Sequence, residues 1–260
     1  MILAHRIALN GTQLDSIDER IIIKSIEEGA GKETISAVSM GTGAGQRITN
    51  RRRDTLDVTV KFSMNIDQDD LEDRSETLEK INAWAAGGGW LTISYRENRR
   101  LLVVCAQAPG AGDIWEWTTV YAITFRAYSV PYWEEEAPVT VTSGTAANGS
   151  LAISVAGSAE APVEIRVKNM SGMTINNLRI NVGGKEMNFS GLGLGGSAEL
   201  IIDHIHTATL FCMRARIGNT SVMDKRTGAD DFTVSPGDKS VSWSADRAVR
   251  VTASVRGRYV

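Results

Sequence analysis

Between Thr55 and Met64 apolar and polar side chains alternate without a break. Leu56, Val58, Val60 and Phe62 fall on one parity, and Asp57, Thr59 and Lys61 on the other. Successive side chains of an extended strand point to opposite faces, so this run predicts a strand with one buried and one wet face. Most of the chain keeps that period of two, which points to antiparallel sheets covered on one side. Residues 20–26 (RIIIKSI), Trp90–Tyr95 and Leu101–Gln107 read as further strands, the last two joined by the polar turn at Glu97, Asn98 and Arg99. A long strand follows from Trp115 to about Val130, ended by Pro131, with Trp115, Trp117, Thr119, Tyr121, Ile123, Phe125 and Ala127 on one face. Trp115 and Trp117 could form a sugar platform or an interface anchor. The alternation that continues beyond them favours a sheet core.

One segment departs from this period. Residues 67–86 place Leu71, Leu78, Ile81 and Ala85 near one helical face, with Trp84 beside it. Asp67, Asp69, Asp70, Glu72 and Asp73 crowd the first turns, where the helix dipole favours negative charge, and Gly87, Gly88 and Gly89 stop it. The chain is therefore expected to be mainly β with one α-helix, at about 67–86.

Residues 134–150 shift to acids and then to small polar residues, which sets the expected boundary between domains 1–135 and 136–260. The second domain reads as short strands with closely spaced turns, a β-sandwich pattern. Its expected strands are Leu151–Val155, Val163–Lys168, Thr174–Asn181, Glu186–Phe189, Ala198–Ile202, Thr209–Ile217, Thr220–Asp224, Phe232–Val234, Lys239–Trp243 and Arg247–Val255. With 25 glycines against 5 prolines, the glycines read as turn residues, not as a disordered tail.

Charge excludes little but does exclude a bulk nucleic-acid binder, since the net charge is −3. No apolar run approaches the length of a membrane span, and MILAHRIALNG lacks the apolar core of a signal peptide. Cys105 and Cys212 have apolar or small neighbours and read as two buried, reduced thiols of a protein made in the cytoplasm.

Catalytic and ligand-binding signals are weak. Gly41, Gly43 and Gly45 (GTGAGQR) suggest a phosphate loop, but no helix follows and no Gly-Lys-Ser/Thr ending is present. His204 and His206 share one face of a strand, Asp203 faces the other way, and two imidazoles are too few for a zinc site. There is no G-x-S-x-G motif, and the consecutive Glu134, Glu135 and Glu136 cannot all face one bond in an extended chain. No catalytic, cofactor-binding or metal-ligating residue is expected. The basic run Arg51, Arg52 and Arg53 reads as a solvated loop, a contact with acids such as Asp69–Asp73 of another subunit, or a small surface facing DNA.

The order of elements carries a resemblance. The second half runs through PVEIRVKN (Pro162–Asn169), MTINNLRINVGG, a Gly-rich corner, AELIIDH and DKRTGADDFTVSPGDKSVSW, with Pro236–Gly237 turning into a last hairpin. The first half has LNGTQL (Leu9–Leu14) before its first long strand, and its closing strand exits through FRAYSVPYW (Phe125–Trp133). Over nearly its whole length the chain resembles the siphophage distal tail proteins. That resemblance implies a ring-forming N-terminal domain of β-sandwich or split-barrel type with one helix, followed by a galectin-like β-sandwich.

It further implies a homo-hexameric ring at the virion tail tip, assembled in the host bacterial cytoplasm. A tail tube protein would sit above and a hub or tail-associated protein below, with receptor-binding or adhesion proteins nearby. DNA would pass through the lumen without specific binding, and no membrane would be entered. A head-to-tail ring needs two different complementary surfaces. Residues 29–54, Gly-rich and long for a plain turn, are the natural projecting loop or hairpin, expected to order on assembly. Gly41, Gly43, Gly45, Arg47, Arg51, Arg52 and Arg53 are its expected subunit-contact residues. Two other readings stand beside this one. A carbohydrate-binding β-sandwich would need an exposed aromatic among hydrogen-bonding groups, and Trp243 is the second half's one tryptophan. A tube protein would not need the second sandwich.

Overall fold

Leu56, Val58, Val60 and Phe62 are at most 2% exposed, and the intervening Asp57, Thr59 and Lys61 are half-buried, as alternation requires. Each such apolar side chain taken fully out of water contributes roughly 1.5–3 kcal/mol. They belong to a computed structural model that describes residues 5–39, 46–67, 70–109 and 120–260, without the Arg51 side chain. The described residues are mainly β, in two curled antiparallel sheets with one α-helix. No helix among them is long and apolar enough to cross a membrane. The chain divides into two units, Met1–Trp133 with Thr207–Thr209, and Glu134–His206 with Leu210–Val260.

The first unit contains β1 (Ile7–Leu9), β2 (Thr12–Gln13), β3 (Ile21–Glu28), β4 (Lys32–Ser39), β5 (Gln46–Met64), α1 (Leu71–Ala86), β6 (Gly89–Ile93), β7 (Arg99–Gln107) and β8 (Tyr121–Ala127). The sheet order is β2-β1-β6-β7-β8-β5-β3, and β4 pairs with β5 alone. Tyr121, Ile123, Phe125 and Ala127 are buried as their parity predicts, whereas Trp115, Trp117 and Thr119 lie outside the described residues. Asp57 and Arg126 stand opposite each other on β5 and β8 and form a two-pronged ion pair at 2.6 and 2.7 Å.

The helix starts at Leu71, later than residue 67. Asp70 is its N-cap, with a non-helical backbone and a side chain that accepts from the Asp73 amide at 3.0 Å. Leu78, Ile81 and Ala85 are buried, but Leu71 is half-buried, being in the first turn. Arg20 ties that turn to the start of β3 by bonding both Asp18 and Asp73. Those bonds hold the Asp73 carboxyl below its ordinary range. The indole of Trp84 donates to Thr12 O at 3.1 Å and meets the Phe125 ring edge-on.

The second unit begins within β9 (Trp133–Glu135) and continues with β10 (Val139–Thr142), β11 (Ala146–Val155), β12 (Ala161–Asn169), β13 (Leu178–Val182), β14 (Lys185–Phe189), β15 (Glu199–His206) and β16 (Phe211–Ile217). Then come β17 (Thr220–Ser221), β18 (Arg226–Gly228), β19 (Thr233–Val234), β20 (Gly237–Val255) and β21 (Arg258–Tyr259). The order is β17-β16-β15-β12-β20-β13-β14-β18, with β10 and β11 also on β20 and β19 on β12. Residues 134–150, where the boundary was expected, mostly form strands β9, β10 and the start of β11. The expected final hairpin is instead one 19-residue strand, β20.

β20 does the work of two strands because it changes partners along its length. Its first part pairs with β11 and β13, and its last part with β10 and β12. Val241, Trp243, Val249, Val251, Ala253 and Val255, all of one parity, supply the core from both stretches. A strand that switches partners in this way closes the corner of a sandwich.

Candidate functional site

A β-strand normally buries at least one face. All eight residues of β4 are exposed, and so are Gln46–Asn50 of the β5 segment that pairs with it. The ladder runs from Lys32 opposite Thr55 to Ser39 opposite Gln46, with register shifts after Lys32 and after Ser36. The projecting loop or hairpin expected at 29–54 is thus, in its described part, an antiparallel two-stranded ribbon. Thr34, Ile35, Val38, Ile48 and Thr49 are strand formers, and the glycines that make the stretch look like a loop precede β4 (Gly29, Gly31) or fall between β4 and β5 in the sequence (Gly41, Gly43, Gly45). Ile35, Val38 and Ile48 are 53%, 58% and 60% exposed. An uncovered two-stranded ribbon is marginal in water. Ile35 and Ile48 fall on one face of the ribbon, Ile48 pairing with Ala37, and Val38 on the other.

The expected subunit-contact residues divide as follows. Gly41, Gly43 and Gly45 lie outside the described residues, as does the side chain of Arg51, whose backbone is in β5. Arg47 is exposed near the far end of the ribbon. Arg52 bonds Asp54 at 2.8 Å while its side chain stays 74% exposed. The Thr34 hydroxyl also donates to Asp54, and these two bonds, Thr34's being the larger influence, lower the Asp54 carboxyl below its usual range. Arg53 turns back at the base of the ribbon, its guanidinium 5.5 Å from the centre of the Tyr132 ring. The basic run is therefore not a uniform solvated stretch: Arg47 and Arg52 point outward, and Arg53 anchors.

The remaining candidates behave as packing residues. His204 and His206 share a face, as parity requires, and both pack on Phe211: His204 stacks at 4.7 Å and His206 meets it edge-on at 5.3 Å. Burial, followed by the charge of Arg258, depresses His204 to about 4. Asp203, on the other face, is bonded by Arg214 at 2.5 Å and Arg216 at 3.3 Å. No group of three or more His, Cys, Asp or Glu among the described residues could hold a metal. Glu134 bonds Arg258, while Glu135 accepts from the Gly257 amide and the Tyr259 hydroxyl. Cys105 and Cys212 are free thiols and half-buried instead of fully buried, and partial burial raises Cys105.

In the second unit, the outer faces of β13, β14 and β20 form a shallow depression of about 250 Å³ edged by Arg179, Asn181, Glu186, Ser242, Trp243 and Ser244. Its polar rows follow the register, with Ser244 opposite Arg179 and Arg179 opposite Asn188. Trp243 is 5% exposed, its side chain belongs to the core, and its indole donates to Ala146 O at 3.3 Å. Trp243, although it lines the depression, therefore offers no exposed ring face as a sugar platform.

The chain shares the fold of the Dit protein of phage SPP1. The superposition has a TM-score of 0.68 at 12% sequence identity and covers 98% of this chain and 99% of that one. The Dit protein is described as a paradigm of the hub adsorption apparatus in phages that infect Gram-positive bacteria. Chains of the phage P2 baseplate, in its activated conformation with calcium and with strontium, align over 97% of both lengths at 10% and 9% identity. Their TM-scores are 0.46 and 0.43. No protein-family model matches the sequence, and no curated protein matches it. The Dit likeness spans both units, so the two-unit plan, and not a single sandwich, is what the two chains share.

Proposed function

We propose that this chain is a structural protein of a long-tailed phage virion, a six-membered ring that joins the tail tube to the baseplate and host-adhesion apparatus. The observation that carries the reading is the fold shared with the SPP1 Dit hub protein over nearly all of both chains. The β4–β5 ribbon supports it, because a subunit of a closed ring needs a surface that only another molecule covers. In this reading the first unit forms the ring and the second hangs outside it. A tube protein stacks above, and a hub or tail-associated protein lies below. Receptor-binding or adhesion proteins attach nearby. DNA crosses the lumen without specific contacts, and no reaction is catalysed. Assembly takes place in the host cytoplasm, and the finished ring resides at the tail tip. The carbohydrate-binding alternative loses support from the burial of Trp243.

Native mass measurement and sedimentation test this directly. The purified chain should give a hexamer, or a monomer–hexamer mixture that shifts with concentration. Replacing residues 37–49 with an Asn-Gly turn between the paired Ser36 and Asn50 keeps the base of the ribbon. That variant should keep its fold by circular dichroism and lose assembly. A full-length chain that stays monomeric at high concentration and with a tube partner overturns the proposal.

A further inference from the structure

Charge is divided sharply within the first 133 residues. The stretch 29–55 carries Lys32, Arg47, Arg51, Arg52 and Arg53 against Glu33 and Asp54, a net of +3. The other residues up to Trp133 carry 10 basic and 16 acidic side chains, a net of −6. The cationic part is also the part that projects: β4 pairs with β5 alone, and its residues are exposed throughout. On the anionic part, Glu72, Glu76 and Glu79 recur along α1 at helical spacing, and all three are exposed.

From this we infer that the ribbon is a cationic arm that binds the anionic body of a second copy of this chain, with the outer row of α1 at the centre of the receiving surface. The inference rests on the ring reading and names the two surfaces that meet. A flexible arm that found its partner only through Ile35, Val38 and Ile48 would cover any apolar surface it met. Opposite charge steers encounter and rejects wrong partners, while the aliphatics supply the dry centre of the contact. The sign pattern also acts in the negative sense, since two arms repel each other and two bodies repel each other. Only the arm-to-body pairing is attractive, and that heterologous pairing is the one that can propagate around a ring.

Such a contact should respond to salt, because rim charges are screened beyond roughly 8–10 Å at physiological ionic strength. The test uses the full chain. Assembly of the wild type is measured by sedimentation from low salt to about 1 M sodium chloride, alongside R47E/R52E, E76K/E79K and an equimolar mixture of the two. The concentration needed for half-assembly is expected to rise about tenfold or more with salt and in each charge-reversed protein alone. Mixing the two reversed proteins should restore assembly through the interfaces at which a reversed arm meets a reversed body, and the mixture's mass should include both chains. Melting curves establish that each variant is folded. An I35S/I48S variant, which keeps every charge, separates a role in burial from one in charge. Rings that form equally at all salt concentrations and in both reversed proteins overturn the arm-to-body pairing while leaving the ring reading intact. Intact, salt-insensitive rings in which only DNA retention falls with R47E/R52E would assign the arm to the lumen and overturn the pairing too. Absence of any assembly by the wild type at low salt, even at high concentration and with a tube partner, sinks both readings.

Discussion

Arg258 Nε donates to Glu134 Oε1 at 2.9 Å, and the two side chains are only 7% and 4% exposed. The bond joins the first residue of the second unit to its last short strand, β21. His206 Nδ1 lies 3.6 Å from the other carboxylate oxygen, and the Arg258 guanidinium sits 4.8 Å from the centre of the Phe211 ring. A pair so enclosed is expensive to break from one side, because the surviving charge stays buried without its counterion. Glu134→Ala or Arg258→Ala should each cost about 3–5 kcal/mol in urea unfolding. Replacing both, as Glu134→Leu with Arg258→Met, should recover most of that loss. If the double variant is less stable than either single one, the pair is not the source of the effect.

Acid should weaken the second unit through His204. The ring lies flat on Phe211, with Nδ1 buried and without a hydrogen-bond partner among the described residues. Its charged and titratable neighbours are Arg258, Asp231, Asp203 and His206. Burial first, and Arg258 next, bring it from 6.5 down to about 4. As pH falls, the unfolded chain takes up this proton before the folded one does. The stability from a neutral His204 is therefore fully present above pH 6.5 and is lost as pH falls through about 4. Asp203 and Asp231 are also held below their ordinary value, so their losses come at lower pH. Thermal melts of the wild type should fall more steeply between pH 6.5 and 4.5 than those of His204→Phe. Parallel pH slopes for the two proteins would remove His204 from the account.

Several of these features were legible in the sequence, and the misses have physical causes. The parity of Leu56–Phe62 located the first core face, and the parity of His204 and His206 located the Phe211 stack without revealing Phe211. The continuity of β20 was missed: Val241, Trp243, Ala245, Arg247, Val249, Val251, Ala253 and Val255 keep one parity throughout, but the expected strands stopped at Trp243 and resumed at Arg247, across the polar Ser244 and Asp246. The β4–β5 ribbon was obscured because glycines precede β4 and separate it from β5, and because neither β4 nor Gln46–Asn50 of β5 has a buried face, so no alternation was imposed there. Which acids Arg20, Arg126 and Arg258 would choose was beyond sequence reading, since each partner is set by folding: Asp73, Asp57 and Glu134 lie 53, 69 and 124 positions away.

Asn169 should prove the least replaceable polar residue of the second unit. Its side chain is enclosed, with the residue 1% exposed, and it knits three segments together. The amide nitrogen donates to the carbonyls of Met173, Leu194 and Gly195, at 2.5, 2.9 and 3.1 Å. The amide oxygen accepts from the backbone and hydroxyl of Ser171 at 2.9 and 2.8 Å. Asn169→Ala would strand those groups at about 1–3 kcal/mol or more. Asn169→Asp should cost more, although it is nearly isosteric, since its carboxylate would face carbonyl oxygens. Equilibrium unfolding of both variants checks the order, and an aspartate variant as stable as the wild type would refute the network's direction.

The base of the ribbon offers the last test, because there the arm can be loosened without touching its tip. Gly31 has φ +68°, and a Cβ added to it would come within 2.3 Å of Arg53 Nε. Gly31→Ala must therefore adopt a left-handed backbone, at roughly 1–2 kcal/mol, and push Arg53 off the Tyr132 ring. The buried ladder between β5 and β8 takes no part in that rearrangement. Hydrogen exchange should accordingly rise across residues 32–39 and 46–53 while the amides of Tyr121–Ala127 keep their protection. Arg53→Lys, which keeps the charge but not the planar stack, should reproduce part of the same change. Uniform loss of protection through the first unit would show that Gly31 supports the core. An unchanged ribbon would show that the Arg53–Tyr132 contact does not set its stability.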